Sequence, residues 1–408
     1  MDEVLAFTTT DAERAFALSA IEFLSSHRDR RIARNLAWGK GPEHLTLFHE
    51  SSDAEERAEA DEAMAWQRDR WRAGFGWITG PHEFGGRGLP QSFDRLYRQV
   101  ESLFDVPDPS PLRIGIGTVG PALVAAGQPE QIQRWAVPIY RGELIACQLF
   151  SEPAAGSDLA GVRSRAVADG DGWRLNGQKV WTSNAQIADF GLALARTDPS
   201  AAKHAGLTMF VVPMDAAGVV IRPLRQMTGG ASFTEVFLDD VVVTAEAVVG
   251  AVGSGWKVAT GALAGERKAV GDRTHEITDR AVGMLRELAV REGAMSDPHV
   301  RQHFSQVYST LRIARFQQQR VQAIPDAQLS GAERAIDKLM VSSNLRAIGE
   351  VAAEVLGPKL AADTGEWGTF GWNKWIMGAM GYRIAGGTEE ILKTMLAERV
   401  LSLPREPR

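Results

Sequence analysis

Cysteine is almost missing from this chain: among 408 residues only Cys147 carries a thiol. That excludes an internal disulfide framework and a cysteine-built metal cluster, so a reducing compartment, the cytoplasm by default, is the expected location and no metal site is expected. Long apolar runs are missing as well. No segment approaches the roughly 18 uninterrupted apolar residues of a membrane span. Residues 1–30 begin Met1-Asp2-Glu3 and carry charges every few positions, so they lack the basic start and apolar centre of a signal peptide. A basic excess is absent too: the net charge is −6 and the pI about 5.8, which gives no footprint for nucleic acid. A phosphate-bearing small molecule stays compatible, because backbone donors and a few arginines suffice to bind one. With no internal repeat or low-complexity stretch, solenoids and arrays are set aside.

What is present is a globular composition, 44% hydrophobic and 24% charged, on a chain too long for one domain. Up to about Gly142 the period is helical. Ala15, Leu18, Ile21, Phe23 and Leu24 predict one apolar stripe, and Ala63, Trp66, Trp71 and Phe75 another. Between them, Gly41-Pro42 and the charged run Ser51 to Glu62 read as a loop and a solvated helix face. From about Ile145 to Val249 the runs become short and alternating or continuously apolar. Trp173 to Trp181 holds Asn176-Gly177 near its centre and predicts a hairpin there, with Leu207 to Val212, Val219 to Ile221 and Phe233 to Leu238 as further strands. After Gly255 the helical period returns. Val341, Leu345, Ile348, Ala352 and Val355 form a stripe, with Ser330 as its start and Gly357-Pro358 as its stop. This order contradicts a doubly wound sheet, which needs strands and helices alternating throughout. The expected fold is mainly α with a central β domain: a helical domain over 1–142, a β-barrel or sandwich over 143–250 and a helical domain over 251–408.

Two motifs carry less than their spacing suggests. Gly115, Gly117 and Gly120 match a dinucleotide fingerprint, but Pro109 to Arg113 is a poor strand and no acidic residue follows at the required distance, so a tightly packed helix start is the better reading. His299 and His303 share a helix face without an intervening glutamate or a third ligand, which reads as a surface pair.

The ordered set Phe150-Ser151-Glu152-Pro153-Ala154-Ala155-Gly156-Ser157-Asp158, followed by Lys179-Val180-Trp181-Thr182-Ser183-Asn184-Ala185, resembles the central signature of the acyl-CoA dehydrogenase family. Upstream, Pro81-His82-Glu83-Phe84-Gly85-Gly86-Arg87-Gly88 looks like that family's Pro-Glu-x-x-Gly-Gly loop, and Gly386-Gly387-Thr388-Glu389-Glu390-Ile391 like its C-terminal flavin segment. The likeness runs from about Trp71 to Arg408. It implies an N-terminal helical domain, a middle β domain and a C-terminal four-helix bundle, with FAD as cofactor. It also implies a flavin ring held between Gln148 to Ser151, Phe150 included, and Trp181, Thr182 and Ser183. Donors from Ser151 and Ser183 would steady the negative charge that a hydride leaves near N1 and O2. Gly156 and Ser157 follow the Pro153 turn, where backbone can approach a ligand. Gly387, Thr388 and Glu390 are implied as FAD contacts at a helix N-terminus, with Thr388 as cap and Ile391 and Met395 on one following face. Ser157 and Arg267 are implied on the substrate side.

The sequence departs from the familiar pattern at Gly386, where many members carry the catalytic glutamate. Some branches place the base in a Leu-x-x-Glu-Arg stretch, and this chain has Leu263-Ala264-Gly265-Glu266-Arg267. Trp256, Ala259, Leu263, Glu266 and Val270 share one helix face, so Glu266 interrupts an apolar stripe and must be paired, protonated or functional. An ion pair with an arginine is the bland alternative; the resemblance implies the α-proton base. Gly386 keeps a backbone N–H for the thioester carbonyl and opens room for a bulky acyl group. The stretch Arg291 to Arg301 lacks the family's Arg-x-x-Phe-Gly, which leaves the pyrophosphate arginine unassigned. The resemblance further implies electron-transferring flavoprotein as acceptor and a homotetramer, a heterotetramer being open. Rival readings are a base-deficient partner subunit, a flavin oxidase or monooxygenase on the same fold, and a non-enzymatic helical adaptor.

Overall fold

The computed structural model describes residues 8–31, 45–48, 53–324 and 331–405, and of Asp53 and residues 264–276 the backbone alone. The described residues fall into two compact units, one holding 8–31, 53–224 and 233–262, the other 45–48, 225–232, 263–324 and 331–405.

In the first unit, helices precede a sheet. The helix Asp11–His27 starts on Thr10, whose side chain accepts from the Glu13 amide. Its buried face is Phe16, Ala17, Ala20, Phe23 and Leu24, while Ala15 is exposed and Leu18 is 42% exposed. The predicted stripe was therefore rotated by about one residue, because two alanines were too weak an apolar marker to fix the face. The helix Asp53–Arg72 buries Ala63 and Trp66 as expected but leaves Trp71 half-buried; Phe75, beyond the helix end, shares a core with Trp66, and Ala63 lies in another. Gly41, Pro42, Ser51 and Ser52 lie outside the described residues.

Eight strands follow: β1 (Ala146–Leu149), β2 (Arg165–Asp169), β3 (Gly172–Ser183), β4 (Phe190–Arg196), β5 (Leu207–Pro213), β6 (Val219–Leu224), β7 (Phe233–Thr244) and β8 (Val248–Val249). They hydrogen-bond in the order β6-β7-β3-β2-β4-β5-β8, with β1 parallel to β4. Strands far apart on this path, β5 through Phe210 and Val212 and β7 through Val236, Leu238, Val241 and Val243, enter one core. The sheet thus folds over itself around a single apolar interior.

The hairpin expected at Asn176-Gly177 is corrected. The turn lies earlier, between Asp169 and Gly172, and β3 runs unbroken through Asn176 and Gly177. Two interactions hold that dipeptide in the strand. The Asn176 amide group donates to Asp240 Oδ1 at 2.9 Å and accepts from the Asp240 amide at 3.0 Å. A Cβ on Gly177 would lie 2.1 Å from Ser164 Oγ, so glycine is there for close approach and the pairing with β7 slips by a bulge between Leu175 and Gly177.

Gly115–Val119 forms a π-helical turn leading into the helix Gly120–Ala126, after a single 3₁₀ turn at Ser110–Leu112. No strand precedes it among the described residues, as a dinucleotide fingerprint would need.

The second unit is helical. The helix Gly255–Arg291 from residue 263 on, and the helices Pro298–Ala323, Gly331–Leu356 and Gly371–Ile384, each contribute to one core, through Leu285 and Leu288, Val307 and Leu311, Leu345 and Ile348, and Trp372 and Trp375. Glu389–Arg399 follows. Of the predicted stripe, Val341, Leu345, Ile348 and Ala352 are buried and Val355 packs against them. Its expected start, Ser330, lies outside the described residues. Its stop is a 3₁₀ turn at Gly357–Leu360. His303 pairs with Glu354 at 2.7 Å on the surface. Among the described residues no helix is long and apolar enough to cross a membrane.

Candidate active site

In the first unit the two signature stretches meet. Gln148 lies in β1, Phe150 and Ser151 follow its end, and the Val180 amide of β3 donates to the Ser151 carbonyl at 2.9 Å. Phe150 is buried and Ser151 half-buried. Beyond Ser151, Glu152 and Ala155 exchange two backbone hydrogen bonds of 3.1 and 3.0 Å across Pro153-Ala154, which leaves Gly156 and Ser157 exposed. A Cβ at Gly156 would meet nothing within 4 Å.

Opposite this turn, β3 slips against β7 between Lys179 and Thr182. The slip puts Trp181 in the left-handed region at φ 62°, costly for a residue with a large side chain. Its indole is 58% exposed and touches Phe233 edge to face at 5.9 Å. Thr182 turns inward, buried, with a hydroxyl that has no hydrogen-bond partner among the described residues; Ser183 is half-buried. A strained backbone that presents an indole outward and an open approach at Gly156 together suit a flat aromatic ligand, such as a flavin.

Sequence reasoning missed what fastens these stretches. Lys179 is 0% exposed, and its ammonium donates to Glu152 Oε1 at 2.8 Å, to the Leu194 carbonyl at 2.7 Å and to the Phe150 carbonyl at 3.2 Å. The Glu152 carboxylate accepts from the Arg163 amide at 2.6 Å and the Ser164 amide at 2.9 Å. Burial raises its pKa, but Lys179 and these donors overcome that and hold it below the usual carboxylate range. Lys179 stands in a stretch of mixed polarity, Asn176-Gly177-Gln178-Lys179-Val180-Trp181, and nothing local marked it as buried.

In the second unit, Gly386 and Gly387 both have positive φ, 66° and 96°, and form the turn before Thr388. Thr388 caps the helix Glu389–Arg399, its side chain accepting from the Ile391 amide. The inward face of that helix is Glu389 and Leu392, while Ile391 is exposed, so the predicted face of Ile391 and Met395 is shifted by one residue. Glu389 is buried and Glu390 exposed. Glu389 accepts from Ser342 at 2.8 Å and lies 3.3 Å from Arg383. Burial raises its pKa, and Ser342 and Arg383 outweigh that to hold it low. Buried Lys338 was also missed; it donates to the carbonyls of Gly387 and Arg383.

Trp256, Ala259 and Leu263 lie on the helix Gly255–Arg291, Ala259 buried and the other two half-buried. The side chains of Glu266, Arg267 and Val270 lie outside the described residues. At the stretch where a pyrophosphate arginine was sought, Arg301 donates to the carbonyls of Met295 and Ser296 and closes its own loop.

Comparison with known proteins adds three findings. Residues 147–241 match the family model for the acyl-CoA dehydrogenase middle domain, and 253–401 that for the acyl-CoA dehydrogenase C-terminal domain. The chain is 38% identical over 347 residues to the acyl-CoA dehydrogenase IpdE1 of Mycobacterium tuberculosis, covering 85% of this chain and 89% of that protein. It is similar in fold to the solved Tcur3481-Tcur3483 steroid ACAD, with TM-score 0.74 and 23% identity over 98% and 100% of the two chains. The ChsE4-ChsE5 complex from Mycobacterium tuberculosis gives 0.72 and 24% over 98% and 99%.

Proposed function

The chain belongs to the acyl-CoA dehydrogenase family of FAD-dependent enzymes, and on that premise we propose that it introduces an α,β double bond into an acyl-CoA thioester, with Glu266 as the base. The observation that carries this reading is the outward, left-handed Trp181 beside the Ser151 turn.

An α-hydrogen next to a thioester is only weakly acidic, so its removal needs a base and a donor for the oxygen that gains charge. Glu266 takes the proton. The Gly386 amide, on a turn fixed by two positive-φ glycines, is the proposed donor to the thioester oxygen. Bound FAD supplies the acceptor for the β-hydride at its N5. Trp181, Ser151, Ser183, Gln148, Phe150, Thr182, Gly156 and Ser157 are the residues that would hold its ring, the indole by packing and the two serines as donors. Gly387, Thr388 and Glu390 would hold the cofactor through the helix N-terminus, and Ser157 and Arg267 would serve the substrate. A glycine at 386 favours a branched or bulky acyl group. Electron-transferring flavoprotein is the proposed acceptor and a homotetramer the proposed assembly.

The test is anaerobic addition of a panel of acyl-CoA thioesters to purified protein. Bleaching of a bound flavin supports the reading; a colourless protein, or a yellow one that no thioester bleaches, overturns it. Gly386 gives weight to one second reading, a base-deficient subunit of a heteromer, under which the chain purified alone binds flavin yet turns nothing over.

A further inference from the structure

We propose that the buried Glu152–Lys179 pair is a positioning device for the flavin surface, holding Ser151 and Trp181 in the geometry the ring needs. The inference rests on the reading above that FAD lies on this surface. Its ground is where the bonds of the pair end. The lysine gives its donors to Glu152 and to the Phe150 and Leu194 carbonyls, and the glutamate takes two further backbone amides, at Arg163 and Ser164. Four stretches are therefore tied to one point: the exit of β1, the segment after the Pro153 turn, β3 and β4.

The pair also stands at both places where that surface is shaped. Glu152 is the residue after Ser151 and the first of the reciprocal bonds that form the turn. Lys179 is the last paired residue before the slip that turns Trp181 outward. Removing two charges from water is costly, and a buried ion pair is often replaceable by apolar side chains of similar volume with no loss of stability. Stability alone thus does not account for a fully buried lysine in an apolar sheet. An ion pair does what an apolar pair cannot: it fixes direction, because its hydrogen bonds weaken steeply away from their preferred distance and angle.

The test compares wild type with the matched double variant E152L/K179M and with Glu152→Gln, which keeps size and removes charge. Apoprotein melting, FAD affinity by titration, and the visible circular dichroism and midpoint potential of the bound flavin are measured. The double variant is expected to melt within about 5 °C of wild type, while FAD binding weakens about tenfold or more and the flavin dichroism and potential shift. Glu152→Gln is expected to move dichroism and potential in the same direction by less. Wild-type affinity and dichroism in both variants overturn the proposal. Failure of the double variant to fold overturns it as well, since the pair would then be holding the sheet itself. A wild-type apoprotein that takes up no FAD overturns the reading beneath it, an outcome visible before any variant is made.

Discussion

Lys338, buried in the helix Gly331–Leu356, donates to the carbonyl of Gly387 at 2.9 Å. The same ammonium reaches the Arg383 carbonyl at 3.3 Å, so one side chain pins both sides of the Gly386-Gly387 turn. Burial pulls the lysine's pKa down, while Glu389 and Glu390 oppose that pull.

Replacing Lys338 by Met removes both bonds and the buried charge together. Hydrogen bonds from a charged group contribute about 1.5–3 kcal/mol, but the lost desolvation cost offsets much of that in stability. The expected result is a melting temperature near wild type with kcat/KM for acyl-CoA lowered about tenfold or more. Steady-state kinetics beside thermal melts check it; an unchanged kcat/KM removes Lys338 from any role in holding the turn.

Glu266→Gln keeps shape and deletes the base. General base catalysis is worth about 10²–10⁴ in rate, so the anaerobic half-reaction should slow by at least the lower figure while flavin content stays at wild type. Stopped-flow bleaching measures this directly, and turnover that survives in a fully flavinated preparation rules Glu266 out as base.

Trp181→Gly separates backbone strain from ligand contact. A left-handed non-glycine residue costs about 1–3 kcal/mol, which glycine relieves, and little packing is lost because the indole is mostly exposed. Apoprotein stability should hold or rise. FAD affinity should fall about tenfold, the equivalent of roughly 1.4 kcal/mol of stacking. Weaker folding with undiminished FAD binding would make Trp181 a structural residue.

The helix, sheet, helix order is legible in the sequence because each element must bury one face, and the apolar period changes near Ile145 and again after Gly255. The motif stretches are legible as an ordered set, and β3 does bring one onto the other, through the bond from the Val180 amide to the Ser151 carbonyl. Long-range pairing is another matter. Asn176-Gly177 has the local chemistry of a turn, yet the bridge from Asn176 to Asp240 crosses 64 residues of sequence and no local rule contains it. Glu152 and Lys179 lie within the quoted stretches, but a charge at one position does not announce a partner 27 residues on. Lys338 stands 49 residues from Gly387, too far along the chain for a local rule to pair them.

Cys147 gives a prediction in pH. Burial pushes its thiol up to about 12, against about 8.5 for a free cysteine. The neutral form is the favoured one in the fold, so the stability this thiol contributes is whole below about 8.5 and is lost progressively as pH rises toward the folded value. Iodoacetamide at pH 9 should leave the native protein unlabelled and label it fully in denaturant. Mass spectrometry reads the difference; rapid labelling of the native protein would contradict the burial.

Gly177→Ala tests whether the dipeptide Asn176-Gly177 is a turn or a bulge. At a hairpin tip an added methyl would point into solvent, and the cost would come from the positive φ of a tight turn, about 1–2 kcal/mol. In β3 the methyl meets Ser164 at Oγ, Cβ and Cα, at 2.1, 2.5 and 2.7 Å. Overpacking of that kind costs about 1–3 kcal/mol. The two readings separate in a double-mutant cycle. Ser164→Gly deletes two of the three clashing atoms, so in the bulge the pair G177A/S164G should recover part of the loss and show coupling. At a hairpin tip remote from Ser164 the two costs would simply add. Because Ser164 also presents its amide to Glu152, a backbone pushed aside at Gly177 should loosen that bond too, and FAD affinity should fall with Gly177→Ala beyond what its melting temperature alone explains.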